Sequence, residues 1–208
     1  MSLLTQWGYT LPNIESLPSM LDVAAFDEFT AGKYSGDERI ERNLMAASTA
    51  IRNYCGWHVS PSLTCTLSTT LHDKRVVRVG HALLIQLPAT YVSEVSSIEI
   101  NGTAYTLFVI EPNGMLKVYG IDFAGFYEYT TIEITYTAGV PSALMESVEE
   151  LIAHRATHAL ASSAGVQSET AGGVSITYSA NWINSSMSTA LTDDNKEVLA
   201  PFKLEGVF

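Results

Sequence analysis

Apolar positions recur at steps of four and three between residues 40 and 54: Ile40, Leu44, Ala47, Ile51 and Tyr54. That spacing puts them on one stripe of a helix. Glu38, Arg39, Glu41 and Arg42 begin its polar side. "SGDE" at 35–38 reads as a capping box, with Ser35 as cap and Glu38 three residues on. Gly56 stands where a left-handed residue ends a helix. A shorter helix is predicted before it, over 22–31, capped by Asp22, faced by Ala25, Phe26 and Phe29, and stopped by Gly32. A second long helix is predicted over 142–163, with Ser142 as cap and Leu144, Val148, Leu151, Ile152 and Ala159 on one face. "TDDNKEVLA" predicts a short last helix, capped by Thr192 and stopped by Pro201. Asp193 and Asp194 lie near its positive end.

Between these helices the period falls to two. In "LTCTLSTTL", Leu63, Cys65 and Leu67 share a face opposite Thr64, Thr66 and Ser68. "RVVRV" and "ALLIQL" follow, then "SIEINGTAYTL", where Asn101-Gly102 signals a two-residue hairpin turn. "EPNG" at 111–114 marks another turn, and "TTIEITYT" at 130–137 is the last strand of the block. Short turns without helical crossovers predict antiparallel pairing.

The expected fold is α+β: a small helical core of two long helices and short flanking helices, with an inserted antiparallel β block and a projecting hairpin or loop. One domain spans 1–208. It comprises an N-terminal arm (1–20), helices (21–61), the β insertion (62–137), a core helix (141–164), a loop or hairpin (165–190), and a short helix with a C-terminal tail (191–208). Pro12 and Pro18 disfavour regular structure in the arm, while Trp7, Tyr9 and Leu11 give it apolar contacts. Such an arm wraps a neighbouring subunit or folds on its own domain, so Trp7 and Tyr9 are candidate contact residues.

Composition narrows the function. Hydrophobic residues make up 47% of 208 residues, enough for a real core. The net charge of −11 opposes general nucleic-acid binding, which needs Lys and Arg to displace counterions. An acidic surface suits DNA that must slide past without sticking. Two cysteines make no disulfide scaffold, and the N-terminus does not read as a signal peptide. No run of ~18 apolar residues reads as a membrane span. A reducing compartment and no membrane are expected.

Three stretches invite a chemical reading. Cys55 and His58, in "YCGWH", pair a nucleophile with a base or two metal ligands. A helix C-terminus opposes a thiolate, however, so Tyr54, Cys55, Gly56 and Trp57 read as a structural corner where helix hands over to strand. His154 and His158 have the spacing of two zinc ligands on a helix, but "HRATH" lacks the catalytic Glu of that motif. Arg155 falls inside the apolar stripe, which calls for an ion pair within the subunit or across a subunit boundary. No catalytic, metal or cofactor site is expected, and no cofactor.

Several stretches resemble the head–tail connector (adaptor, or head-completion) proteins of tailed bacteriophages. They are "GKYSGDERIERNLMAASTAIRNYCGWHVSP" (32–61), "YTAGVPSALMESVEELIAHRA" (136–156), "AGVQSETAGGVSITYS" (164–179) and "LTDDNKEVLAPFKL" (191–204). The resemblance implies a structural virion protein, not an enzyme. It implies a homo-oligomeric ring, twelvefold, beneath the portal protein at the neck of the virion, assembled in the host cytoplasm. That ring extends the channel for passing double-stranded DNA, without binding it specifically, and receives the next neck, stopper or tail protein. It further implies partner contacts in the hairpin and tail: Ser168, Glu169, Thr177, Tyr178, Phe202, Lys203 and Phe208. A β-rich tail or receptor-contact module and a small thiol or metal enzyme are the alternatives.

Overall fold

The computed structural model describes residues 2–124, 130–161 and 191–204, and the backbone alone of residues 168–171 and 174–177. Helices α1 (Val23–Phe29), α2 (Ile40–Cys55), α3 (Glu146–Ala161) and α4 (Asp193–Leu199) accompany twelve described strands. These are β1 (Ser2–Leu4), β2 (Thr10–Pro12), β3 (Leu63–Thr70), β4 (Val76–Val79), β5 (Ala82–Gln86), β6 (Val92–Ile100), β7 (Thr103–Ala104), β8 (Phe108–Glu111), β9 (Met115–Val118), β10 (Thr131–Ala138), β11 (Ser168–Ala171) and β12 (Val174–Thr177). Every described strand pair is antiparallel, and the fold is α+β. The chain forms two compact units. A β unit takes Met1–Leu17, Cys55–Pro141 and Phe202–Phe208; a helical unit takes Pro18–Tyr54 and Ser142–Pro201.

In the helical unit, Phe26, Leu44, Ile51, Val148 and Ile152 are wholly buried. The cap of α2 differs from the sequence expectation. Gly36 takes φ +84°, which a first helical turn cannot contain, so Ser35 and Glu38 lie in turns ahead of the helix. Asp37 supplies the local acceptor instead, taking the Arg39 N–H at 2.9 Å and pairing with its guanidinium at 2.7 Å. The entry to α3 also differs. Ser142–Leu144 is a 3-10 turn, and the Met145 carbonyl takes the N–H groups of Val148 and Glu149. Leu144 therefore falls off the apolar stripe and is exposed. The segment before α1 is strapped to α2: Ser48 Oγ accepts the Met20 N–H at 2.9 Å, and the buried Arg52 donates to the Pro18 carbonyl at 2.7 Å.

In the β unit, a six-stranded sheet has the order β1-β2-β3-β10-β6-β7, and a four-stranded sheet the order β4-β5-β9-β8. The strand that ends the block in chain order, β10, is central to the first sheet. Its register sets Ile134 between Leu67 and Ile98, a row buried throughout. The arm holds regular structure despite its prolines. β1 and β2 form a hairpin, and Thr10 pairs with Thr66, so the arm adds two strands to its own unit's sheet. Pro12 closes β2, two residues past the Thr10–Thr66 bridge to β3. Asn101 and Gly102 both take positive φ (49° and 75°), the primed turn their sequence predicts between β6 and β7.

Candidate functional site

The centre of the β unit is the corner that follows α2. Gly56 takes φ +79°, reversing the chain without a Cβ penalty. Trp57 is wholly buried and donates its indole N–H to the Phe202 carbonyl at 2.7 Å. The Leu204 N–H donates to the Cys55 carbonyl at 2.8 Å, so residues 202–204 are stitched along the corner. Val59 has φ +63°, a costly conformation for a β-branched residue. It is held on both sides: the Ser60 N–H bonds the His58 carbonyl at 2.7 Å, and the Val59 carbonyl takes the Val140 N–H at 2.8 Å.

His58 is fully buried, with both ring nitrogens engaged. Nε2 lies 2.9 Å from the Ala138 carbonyl oxygen, which only accepts, so Nε2 carries the proton. Nδ1 then accepts from the Tyr9 hydroxyl at 2.8 Å, and the same hydroxyl oxygen accepts the His58 backbone N–H at 3.1 Å. This set is closed for a neutral imidazole. Neither nitrogen is left to take a proton from Cys55. Burial pushes the Cys55 thiol up to about 12, and Cys65 likewise to about 12, far from thiolate chemistry. What the ring does is join three segments: the arm through Tyr9, the corner, and the end of β10 through Ala138. Gly139 follows Ala138 at a close approach of two main-chain segments, where a Cβ would overlap the backbone of Ser62.

The other chemical candidates do not converge. His154 is exposed; its Nε2 lies 3.5 Å from Glu150, and its ring meets Phe29 edge-on at 5.1 Å. His158 is half-buried, and burial, then the neighbouring His154 charge, lowers its pKa. Arg155 is half-buried on α3, and burial lowers its pKa. Among the described residues no group of three or more His, Cys, Asp or Glu is placed to hold a metal ion. Among them, too, no helix is long and apolar enough to cross a membrane.

The contact residues expected from sequence fall into different places. Trp7 is half-exposed, stacked 6.0 Å from Tyr9, and lines a cavity of about 410 Å3 with Gly8, Gly56, Arg75 and Leu204. Tyr9 is wholly buried inside its unit and offers no surface in this conformation; its hydroxyl is what the corner needs. Phe202 is also buried, whereas Lys203 is exposed. Ser168, Glu169 and Thr177 lie in the antiparallel β11–β12 pair, with Ser168 opposite Thr177. Tyr178 and Phe208 lie outside the described residues. Sequence reasoning missed the Tyr9–His58 link, which spans 49 positions and has no local signature. It also missed an exposed apolar face on the four-stranded sheet, although "RVVRV" and "ALLIQL" signalled it by failing to alternate.

Buried polar groups thus tie the arm, the corner and residues 202–204 together. Residues 19–191 match the family described as head completion protein, and the chain belongs to that family. It is a structural protein of bacteriophage head assembly and a component of the virion. No curated protein matches the chain.

Proposed function

We propose that this protein is the head–tail connector of its virion, forming a twelvefold ring beneath the portal that extends the DNA channel and joins head to tail. The family match over residues 19–191 is the observation that supports this reading. The net charge of −11 agrees with it, since an acidic wall lets DNA pass without gripping it. Assembly takes place in the host cytoplasm, and the chain works as one connector domain. Trp7, Arg155, Ser168, Glu169, Thr177, Tyr178, Lys203 and Phe208 are the proposed contact residues toward neighbours, portal and tail. Image reconstruction of the particle neck tests the reading. A ring of this chain between portal and tail is expected. Peripheral copies on the tail would overturn it in favour of a receptor-contact module.

A further inference from the structure

The chain contains two Asn-Gly dipeptides, Asn101-Gly102 and Asn113-Gly114, and the corner described above uses neither. Asparagine followed by glycine carries a latent reaction, because no Cβ screens the glycine nitrogen from the asparagine Cγ. Both asparagines hold left-handed backbone, with φ 49° and 60°. In that conformation the following nitrogen faces away from the side chain. The peptide between the two residues therefore has to swing about the asparagine Cα–C bond before nitrogen and Cγ meet. Local anchoring decides which dipeptide makes that swing.

Asn113-Gly114 is anchored on both sides of the swinging peptide. The Asn113 carbonyl takes the Gln86 side-chain N–H at 2.7 Å, and the Gly114 carbonyl takes the Leu87 N–H at 2.9 Å. Gly114 is buried, and a Cβ there would overlap the Ala89 carbonyl oxygen, so the main chain has no room to turn. Asn101-Gly102 is the exposed turn between β6 and β7. The flanking residues Ile100 and Thr103 close that ladder, and nothing lies within 4 Å of a Cβ at Gly102. The Asn101 N–H bond to the Thr131 carbonyl, at 2.9 Å, lies on the other side of the Asn101 Cα and survives the swing. Thr131 also acts on the reacting amide. Asn101 Oδ1 accepts the Thr131 N–H at 2.9 Å, with the Thr131 hydroxyl at 3.4 Å. Donors on that oxygen draw electrons from Cγ and stabilise the charge that develops on Oδ1 under attack.

We propose that Asn101 is a self-modification site, where the Gly102 nitrogen closes on Cγ while Thr131 polarises the amide. The N–Cγ bond forms, the Gly102 N–H proton passes to the side-chain nitrogen, and ammonia leaves a succinimide. Water then opens the ring. Addition at the side-chain carbonyl gives aspartate, and addition at the main-chain carbonyl gives isoaspartate. Either product adds a negative charge beside Glu99, and isoaspartate also lengthens the main chain of the β6–β7 turn by one methylene. Aged copies of the chain thus differ from new ones at this end of the six-stranded sheet.

The test is a time course on the full-length folded chain at mildly alkaline pH, read by peptide mass mapping and by isoaspartyl methyltransferase labelling. A parallel sample in urea frees both dipeptides. In the folded chain Asn101 should convert about thirtyfold faster than Asn113, since opening the latter breaks two hydrogen bonds. In urea the two rates should come together. Asn101→Gln, which closes no five-membered ring, should abolish the methyltransferase label in the folded chain. Equal rates in the folded chain, or faster loss at Asn113, would overturn the proposal. So would a folded chain that keeps Asn101 intact while the urea sample converts. Aspartate formed at Asn101 without isoaspartate would overturn the ring step. Each outcome is independent of whether the chain forms the proposed connector ring.

Discussion

The Tyr9 hydroxyl sits 2.8 Å from His58 Nδ1 and 3.1 Å from the His58 backbone nitrogen, fully buried. One oxygen thus donates to the ring and accepts from the main chain of the same residue. Through it, the arm holds the corner in the geometry that lets His58 reach the Ala138 carbonyl at 2.9 Å.

Tyr9→Phe removes that oxygen and leaves a buried ring nitrogen and a buried N–H without it. The expected loss is about 1–3 kcal/mol of unfolding free energy. Urea denaturation measures it. Trp7→Phe, at a half-exposed position two residues away, should stay within about 0.5 kcal/mol. Equal effects from the two would remove the special role given to the hydroxyl.

Gly139→Ala should be among the costliest glycine substitutions in the chain. The added methyl meets the Ser62 Cα, nitrogen and neighbouring Pro61 carbonyl, all main-chain or Cα atoms that cannot swing aside. A loss of about 3 kcal/mol or more is expected. Gly80→Ala, with a positive φ of 61° but nothing within 4 Å, should lose only about 1 kcal/mol. Thermal melts of the two variants side by side decide the order.

Glu133 faces Glu99 directly across β10 and β6, both exposed on the outer face of the six-stranded sheet. Like charges in register oppose pairing. Glu133→Lys should therefore stabilise the protein by about 0.2–1 kcal/mol at low salt, with the gain shrinking as salt is added. An unchanged or lowered melting temperature at low salt would contradict this.

Stability should fall as pH drops below about 6.5, the ordinary histidine value, in part through His158. Its folded pKa is lowered by burial and then by the His154 charge, so the unfolded chain takes up the proton first as the solution is acidified. The stabilisation is complete above the unfolded value and declines through the window down to the folded one. His158→Gln should flatten that slope, and His154→Gln should reduce it partly. Denaturation midpoints between pH 5 and 8 read the effect directly.

Much of the local structure was legible because it is local. The stripe from Ile40 to Tyr54, the Thr192 cap, and the Asn101-Gly102 turn each depend on residues within a few positions. Where a nearby residue competes, the reading slipped. Gly36 displaced the cap of α2 from Ser35 to Asp37, and the 3-10 turn at Ser142–Leu144 moved Leu144 off its helix face. The candidate site was half legible. Cys55 at a helix end already argued against a thiolate, and Gly56 already marked the turn. Where Tyr9 pointed was not legible, since an apolar arm packs equally well on a neighbour or on its own sheet until a partner for its hydroxyl is known.

By itself the sequence determined the helices, the turns, the antiparallel character of the β block, the acidic balance and the family, because these rest on spacing, composition and short motifs. Only the tertiary structure decided that the block divides into two sheets, that β10 lies between β3 and β6, and that the arm supplies β1 and β2. Pairing partners far apart in the chain are chosen by which rows of side chains bury together, and no local pattern carries that choice. The same reason places His58. A ring with two polar nitrogens can be buried only where two partners meet it, and Tyr9 and Ala138 are brought there by the sheet.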